Sequence, residues 1–579
     1  MAPTSLLSLV FNGSRKKANK DNDGERTEPS PVSIAMRTMQ PVDPTRPSLA
    51  GLSDDLILCI LEIMQDASPS STRNCMLVCS SLYHYARQIQ YRELSIDVDS
   101  QYSIICLEND SKDNLLPSVR TLSVSGNTQL PSTLNESIRK MTGLRNVEWS
   151  AATITKPILQ TLQSSSRTKL EVSITDDTRH LLLDVVGSTA LVSLSVDITY
   201  DTAEDCMQVT QPLKQVLLSC PNLRSLSLNL ARPPQGCVAI DPPAQYIGIG
   251  FAAGEKPPPL QELRISSYPW GYKPADPNGV GVNCIGYPEE GLEMDYWVNQ
   301  FDWSRLTRFE DVSFIFAHKV VQKLTALKHV RFTYGMSVID KEFFEMVPSA
   351  LESIDVPTLD CPGINGLKQH AASLRSLYIQ QQQLTMEQWR ESLISDDNLT
   401  LMCKSLPQLR EVGIGIARDE NDWPYTTLDI LITLPQLQSL ELWFELGNAP
   451  PRPYLTMESA YELSDYLSKR SSTLSNLRLH SGFPLPLGYS DFMIDEWNWS
   501  RQNSATFECQ HAERDDDAAR GEFRVRCPTL SDQLNRKAYC IVKGQEELKD
   551  LTEYGVDFRV ALQGPIPFQE WMDLWHGKR

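Results

Sequence analysis

Few groupings in this chain have the residue types and spacing to do chemistry. Residues 248–257, "GIGFAAGEKP", carry the glycines of a phosphate loop, whose backbone N–H groups would cradle phosphate oxygens. Such a loop needs Gly-Lys-Ser/Thr opening a helix. Here Gly254-Glu255-Lys256 runs into prolines, so the stretch reads as a flexible loop. Cys509 and His511 are a lone pair with no further ligands at zinc-site spacing. The run Asp515 to Asp517 in "QHAERDDDAAR" fits a solvated loop better than a divalent-cation site. The eight histidines form no H-E-x-x-H, and no G-x-S-x-G or Cys-His signature occurs. No catalytic constellation emerges, and the expectation is a non-enzyme with no metal and no cofactor.

Composition narrows the classes further. The formal charge of −19 over 579 residues makes the chain a poor general binder of nucleic acid or of anionic membrane. No apolar run approaches the roughly 20 residues that cross a bilayer. The opening "MAPTSLLSLVFNGSRKK" places its basic residues after a very short apolar run, the reverse of a secretory signal. Its 13 cysteines are odd in number, irregularly spaced and without a C-x-x-C pair, as expected of reduced thiols in a cytoplasmic or nuclear protein. The N-x-[ST] matches at Asn12, Asn135, Asn398 and Asn498 then read as chance.

The elements that would position a site follow from periodicity. Residues 1–48 are expected to be a disordered tail, polar and dotted with proline from residue 12 onward. Its "SRKKANK" reads as a solvated charge run more readily than as a nuclear import signal, and Ser30-Pro31 is at most a weak phosphosite. Beyond about residue 95 an apolar-x-x-apolar-x-apolar hexamer recurs. It appears as "VRTLSV" (119–124), "LRNVEW" (144–149), "LVSLSV" (191–196), "LRSLSL" (223–228) and "LQELRI" (260–265). It continues as "LKHVRF" (327–332), "LESIDV" (351–356), "LRSLYI" (374–379), "LREVGI" (409–414), "LQSLEL" (437–442) and "LSNLRL" (474–479). This is the strand signature of leucine-rich repeats, one strand and one covering helix or turn per unit. "LEVSI" (170–174) reads as a further unit. Another is expected near "WSRLTRFEDVSF", where the register is open between Leu306-Phe309 and Phe309-Val312-Phe314.

Segments 203–220 and 456–470 have helical spacing and would lie between strands. Two breaks, 231–259 and 267–290, read as loop insertions in the repeat. At the end, "FQEWMDLWHGKR" would put Phe568, Trp571, Met572 and Trp575 on one helical face, as expected of a cap. Within each strand the residues flanking the inward pair should face a concave surface. That surface would carry His329, Arg331, Thr333, Ser376, Tyr378, Gln380, Ser439, Glu441, Trp443, Asn476, Arg478 and His480, types that include those enriched at interface hot spots.

The stretch "LSDDLILCILEIM" (52–64) opens with a capping Ser53 and helix-favouring Asp54 and Asp55, then becomes apolar on nearly every side. One side would pack on its own domain, leaving the other for a partner. A second helix is expected from about Arg73 to Gln88. Together the region resembles an F-box, the adaptor-binding module of Skp-cullin-F-box ubiquitin ligases. Leu52, Asp55, Leu56, Ile57, Ile60, Leu61 and Met64 occupy the family's helix positions, Leu77-Val78-Cys79 its later Leu-Val-Cys, and Tyr91-Arg92-Glu93-Leu94 its trailing motif. Ser53 stands where the family has proline, Ser80 where it has a basic residue, and Leu82 where it has Trp or Phe.

The resemblance implies an α/β architecture: a helical F-box (49–95), an irregular leucine-rich-repeat solenoid with a parallel concave sheet (96–505), and a C-terminal cap (506–579). It implies a substrate receptor of a ubiquitin ligase, the alternative being a repeat scaffold whose F-box has lost its adaptor. Leu52, Leu56, Ile57, Ile60, Leu61, Leu77, Val78, Cys79 and Leu82 would bind a Skp-family adaptor and, through it, a cullin. His329, Arg331, Tyr378, Gln380, Glu441, Trp443, Arg478 and His480 would bind a protein substrate. Neither nucleic acid nor membrane is an expected partner.

Overall fold

The computed structural model describes residues 52–67, 69–112, 115–231, 248–252, 254–268, 293–332, 339–379, 393–417, 422–444, 446, 454–482, 494–511, 523–547 and 554–576. The expected N-terminal tail and most of both insertions lie outside these residues. The chain divides into two compact units, Met1–Tyr85 and Ala86–Arg579.

Among the described residues, the second unit is built on a 16-stranded sheet whose spatial order follows the chain. Its strands are β1 (Glu93–Asp97), β2 (Thr121–Gly126), β3 (Asn146–Ala151), β4 (Lys169–Ile174), β5 (Leu191–Thr199), β6 (Ser225–Ala231), β7 (Glu262–Ser267) and β8 (Arg308–Glu310). They continue as β9 (His329–Arg331), β10 (Ser353–Val356), β11 (Ser376–Ile379), β12 (Glu411–Ile416), β13 (Ser439–Phe444), β14 (Asn476–Ser481), β15 (Ala505–His511) and β16 (Phe523–Arg526). Each quoted hexamer overlaps a strand. Its three apolar positions are buried, as at Leu437, Leu440 and Leu442. In most hexamers the first sits just before the strand, Leu191 instead opening β5, and the other two point inward, because alternate residues of a strand face opposite sides.

Two details differ from the sequence reading, and one that it left open is resolved. The sheet begins at Glu93, inside the span assigned to the F-box, with Leu94 paired to Leu122. It also continues past residue 505, where β15 and β16 pair antiparallel, so the sheet is mostly rather than wholly parallel. The open register near residue 306 resolves to Leu306 and Phe309, both buried. That strand is short because Asp311 adopts a left-handed φ of 55°. Aspartate tolerates this conformation, and the Asp311 N–H donates to the Arg331 carbonyl at 2.7 Å.

Helices Ala203–Ser219 and Met457–Ser468 form where periodicity placed them. Thr202 caps the first by accepting from the Asp205 N–H at 3.1 Å. Thr456 and Ser459 form a reciprocal capping box at the second. A single apolar cluster runs from Ile96 to Ala561. Its aromatic middle includes Trp297 stacked on Phe301, with ring centroids 4.6 Å apart. Beside it the buried Glu293 carboxylate accepts from the Tyr268 hydroxyl (2.6 Å), the Trp297 indole (3.0 Å) and the Ile249 N–H (2.8 Å). Ile249 and Phe251 are buried, so this part of the supposed phosphate loop is pinned rather than loose.

In the C-terminal segment, helix Phe568–His576 buries Trp571 with Leu446, Trp499 and Ile566, and Phe568 and Met572 pack alongside. The side chain of Trp575 lies outside the described residues. No helix among the described residues is long and apolar enough to cross a membrane. No group of three His, Cys, Asp or Glu among them could hold a metal ion.

Candidate functional site

In the first unit, helix Asp54–Ala67 separates its apolar residues into two arcs. At 100° per residue, Leu56, Cys59 and Ile63 fall on one face. All three are exposed, Leu56 at 53% and Ile63 at 69%. Leu52, just before the helix, is exposed as well, and Ile60 is half-buried. Ile57 and Leu61 lie on the other arc and are buried. They were expected to touch the adaptor but are core positions instead, as is Leu82. Ile63, absent from the expected set, belongs to the exposed stripe.

The expected second helix is two, Pro69–Cys75 and Ser80–Gln90. Between them the chain turns, with the Met76, Leu77 and Val78 N–H groups donating three residues back. A turn leaves side chains unsupported by a helix face, and Leu77 and Val78 stand 87% and 69% exposed. Cys79 is also exposed.

In the second unit, strand register brings outward residues from distant repeats into rows. One row crosses the sheet as Arg331, Asp355, Tyr378, Gly413, Glu441, Arg478 and Glu508. The Arg331 Nε lies 3.3 Å from the Asp355 Oδ2. Arg478 pairs with Glu508 at 3.0 Å and approaches Glu441 at 3.8 Å. Burial pushes the Asp355 carboxyl up to about 6, with Arg331 opposing the rise and Asp311, Glu310 and Glu441 adding to it. Burial, with Glu441 and Glu411 nearby, pushes the Tyr378 hydroxyl up to about 12. His329 sits at the start of β9, its pKa lowered by burial and by the Arg308 charge.

The neighbouring row holds Gly415, Trp443, His480 and Thr506. The His480 ring lies between Glu441 Oε1 (2.7 Å from Nε2) and Thr506 Oγ1 (2.9 Å from Nδ1). A hydroxyl–imidazole–carboxylate line can activate a nucleophile. Here the members come from β15, β14 and β13, the ring is stacked on Trp443, and Glu441 also faces Arg478. The line therefore cross-braces three strands.

The two rows bring together half of the residues expected at the concave surface: Arg331, Tyr378, Glu441, Trp443, Arg478 and His480. Trp443 departs from expectation. It faces outward but is only 5% exposed, covered by Tyr378 and Leu393. At that exposure the ring offers a partner almost no surface. Thr333 and Gln380 lie outside the described residues. Asp355, Gly413, Thr506 and Glu508 are not among the residues expected at this surface. Asp355 and Gly413 hold the fifth position of their hexamers and could have been found by the rule that found Arg331. Thr506 and Glu508 sit in an antiparallel strand that has no hexamer.

No known family profile matches the chain, and no curated protein matches it. Among solved structures, it is similar to one in the crystal structure of a TLR13–ssRNA13 complex, at 14% identity and a TM-score of 0.30, over 57% of this chain and 44% of that one. It is also similar to one in the yeast Rad7–Elc1 complex, at 11% identity and a TM-score of 0.31, over 73% of this chain and 92% of that one. The strand order and inward leucine pattern are those of an α/β repeat protein resembling leucine-rich-repeat solenoids.

Proposed function

We propose that this protein is a substrate-recognition subunit of a Skp-cullin-F-box E3 ubiquitin ligase. It binds the adaptor through the first unit and a protein substrate through the outward face of the sheet. The observation that carries this reading is the exposed stripe Leu52, Leu56, Cys59 and Ile63, in the same compact unit as exposed Leu77, Val78 and Cys79. Large apolar side chains left exposed together mark an interaction surface, and most of these are the positions that resemble the F-box. Such a receptor performs no chemistry; it raises the effective concentration of substrate near the ubiquitin-charged enzyme. The reading places it in the cytoplasm, the nucleus or both.

The test is capture of a purified Skp-family adaptor with its cullin. The wild-type protein should capture both. Leu56→Asp combined with Ile63→Asp puts charge into a contact that must desolvate, and should abolish capture with an unchanged circular dichroism spectrum. No capture by the wild type would leave the repeat scaffold with a degenerate F-box. Full capture by the folded double variant would mean that the stripe is not the contact.

A further inference from the structure

A cleft of about 650 Å³ opens along the edge where β3 to β6 begin, away from the rows just described. It is lined by Arg145, Arg167, Lys169 and Arg224, with three hydroxyl residues, the Asn222 amide, Ala190 and Val192 between them and no carboxylate. For a chain of net charge −19 that is a concentrated reversal of sign. Repetition builds it: Arg145 and Arg224 hold the same hexamer position, just before β3 and β6, and Lys169 opens β4. At the equivalent position before β9, Lys328 is matched by Glu352 at 2.8 Å. Arg145, Arg167 and Lys169 have no ion-pair partner among the described residues and are exposed. Arg224 is half-buried and steadied by the Pro221 carbonyl at 2.9 Å. Asn222 is held by the Thr189 carbonyl at 2.7 Å.

We propose that this cleft binds an extended acidic segment of a partner protein, with Asp or Glu at alternate positions. Spacing decides between anions. From the start of β3 to that of β6 is three strand separations, roughly 14 Å. Alternate side chains of an extended peptide recur every ~7 Å, so three carboxylates span that distance. A single phosphate would meet only one end. Single-stranded nucleic acid has distributed charge too, but it is held on aromatic platforms, and no aromatic residue lines the cleft. Guanidinium groups suit the task, since each offers a carboxylate two parallel hydrogen bonds.

The experiment is fluorescence anisotropy on the full chain with three labelled probes: a peptide alternating glutamate and serine, a peptide of the same composition with its glutamates contiguous, and oligouridylate. The alternating peptide should bind best and weaken as salt rises from roughly 50 to 200 mM. Arg145→Ser, Arg167→Ser and Lys169→Ser together should weaken it about tenfold. Arg375→Ser with Arg410→Ser, at the same hexamer position elsewhere, should leave it unchanged. These side chains are exposed, and circular dichroism checks that both variants stay folded. Absence of binding, equal loss in both variants, or stronger binding of oligouridylate or of the contiguous peptide would overturn the assignment.

Discussion

Trp443 and His480 lie ring on ring across β13 and β14, their centroids 5.0 Å apart and their planes 4° from parallel. The stack joins adjacent repeats at a point where Glu441 and Thr506 hold the imidazole from either side. Trp443 thereby becomes part of the frame of the outward face rather than a free contact on it.

Trp443→Ala should accordingly act on stability before it acts on binding. Emptying a buried tryptophan site costs about 3–5 kcal/mol, readable as a lower urea midpoint. Trp443→Phe, which keeps a ring against His480, should lose much less. If the alanine variant kept the wild-type midpoint, the residue would be a surface contact after all.

Gly413 lies beneath the rings of Tyr378 and Trp443. A Cβ there would come within 2.6 Å of Tyr378 Cε1 and 3.1 Å of Trp443 Cζ3. Gly413→Ala should destabilise by about 1–3 kcal/mol through overpacking. Trimming the neighbour with Tyr378→Ser should recover part of that loss in the double variant, a coupling that a double-mutant cycle measures directly. Strict additivity would show that the two residues do not touch.

Asp355 makes stability depend on pH. Its carboxyl titrates at about 6 in the folded chain, against about 4 in an unfolded one. Between those values the folded state holds the proton more tightly, so stability falls as pH rises, and above 6 the ionised group is a standing cost. Asp355→Asn cannot titrate. Relative to wild type it should gain on the order of 2–3 kcal/mol between pH 4 and pH 7. A wild-type minus variant difference that stays flat across that range would place the group at an ordinary carboxylate pKa.

In the first unit, Leu61→Asp and Leu56→Asp should part company. Leu61 is fully buried and Leu56 is 53% exposed. An unpaired carboxylate at Leu61 has no water to solvate it and should unfold the unit, whereas Leu56→Asp should keep its helical circular dichroism. Equal loss in both would mean the exposed arc is covered in solution.

Glu293 accepts from donors on both sides of the 269–292 segment: Ile249 and Tyr268 before it, Trp297 after it. Glu293→Ala removes their shared acceptor and should cost about 1–3 kcal/mol, the Ile249 N–H keeping the Tyr268 hydroxyl at 3.0 Å. Proteolysis within 248–268 should quicken accordingly. Glu293→Gln, which keeps one carbonyl acceptor, should fall between. Unchanged proteolysis in the alanine variant would show that other contacts hold this segment.

The strands were legible because the hexamer records a local requirement. Three apolar residues at fixed spacing must reach one core whatever the neighbouring repeats contain, so Leu437, Leu440 and Leu442 could be placed without knowing what lies beside them. The outward residues of each unit followed from the same alternation. The sequence could not say which of them meet, because His480 and Glu441 lie 39 residues apart, with helix Met457–Ser468 between them. Register sets Arg331 against Asp355 and Gly413 beneath Tyr378, and register depends on how every intervening segment packs. The same limit governs the first helix. Its composition shows apolar residues all round, while the choice of Ile57 and Leu61 for burial, and of Leu56 and Ile63 for exposure, was made by tertiary packing.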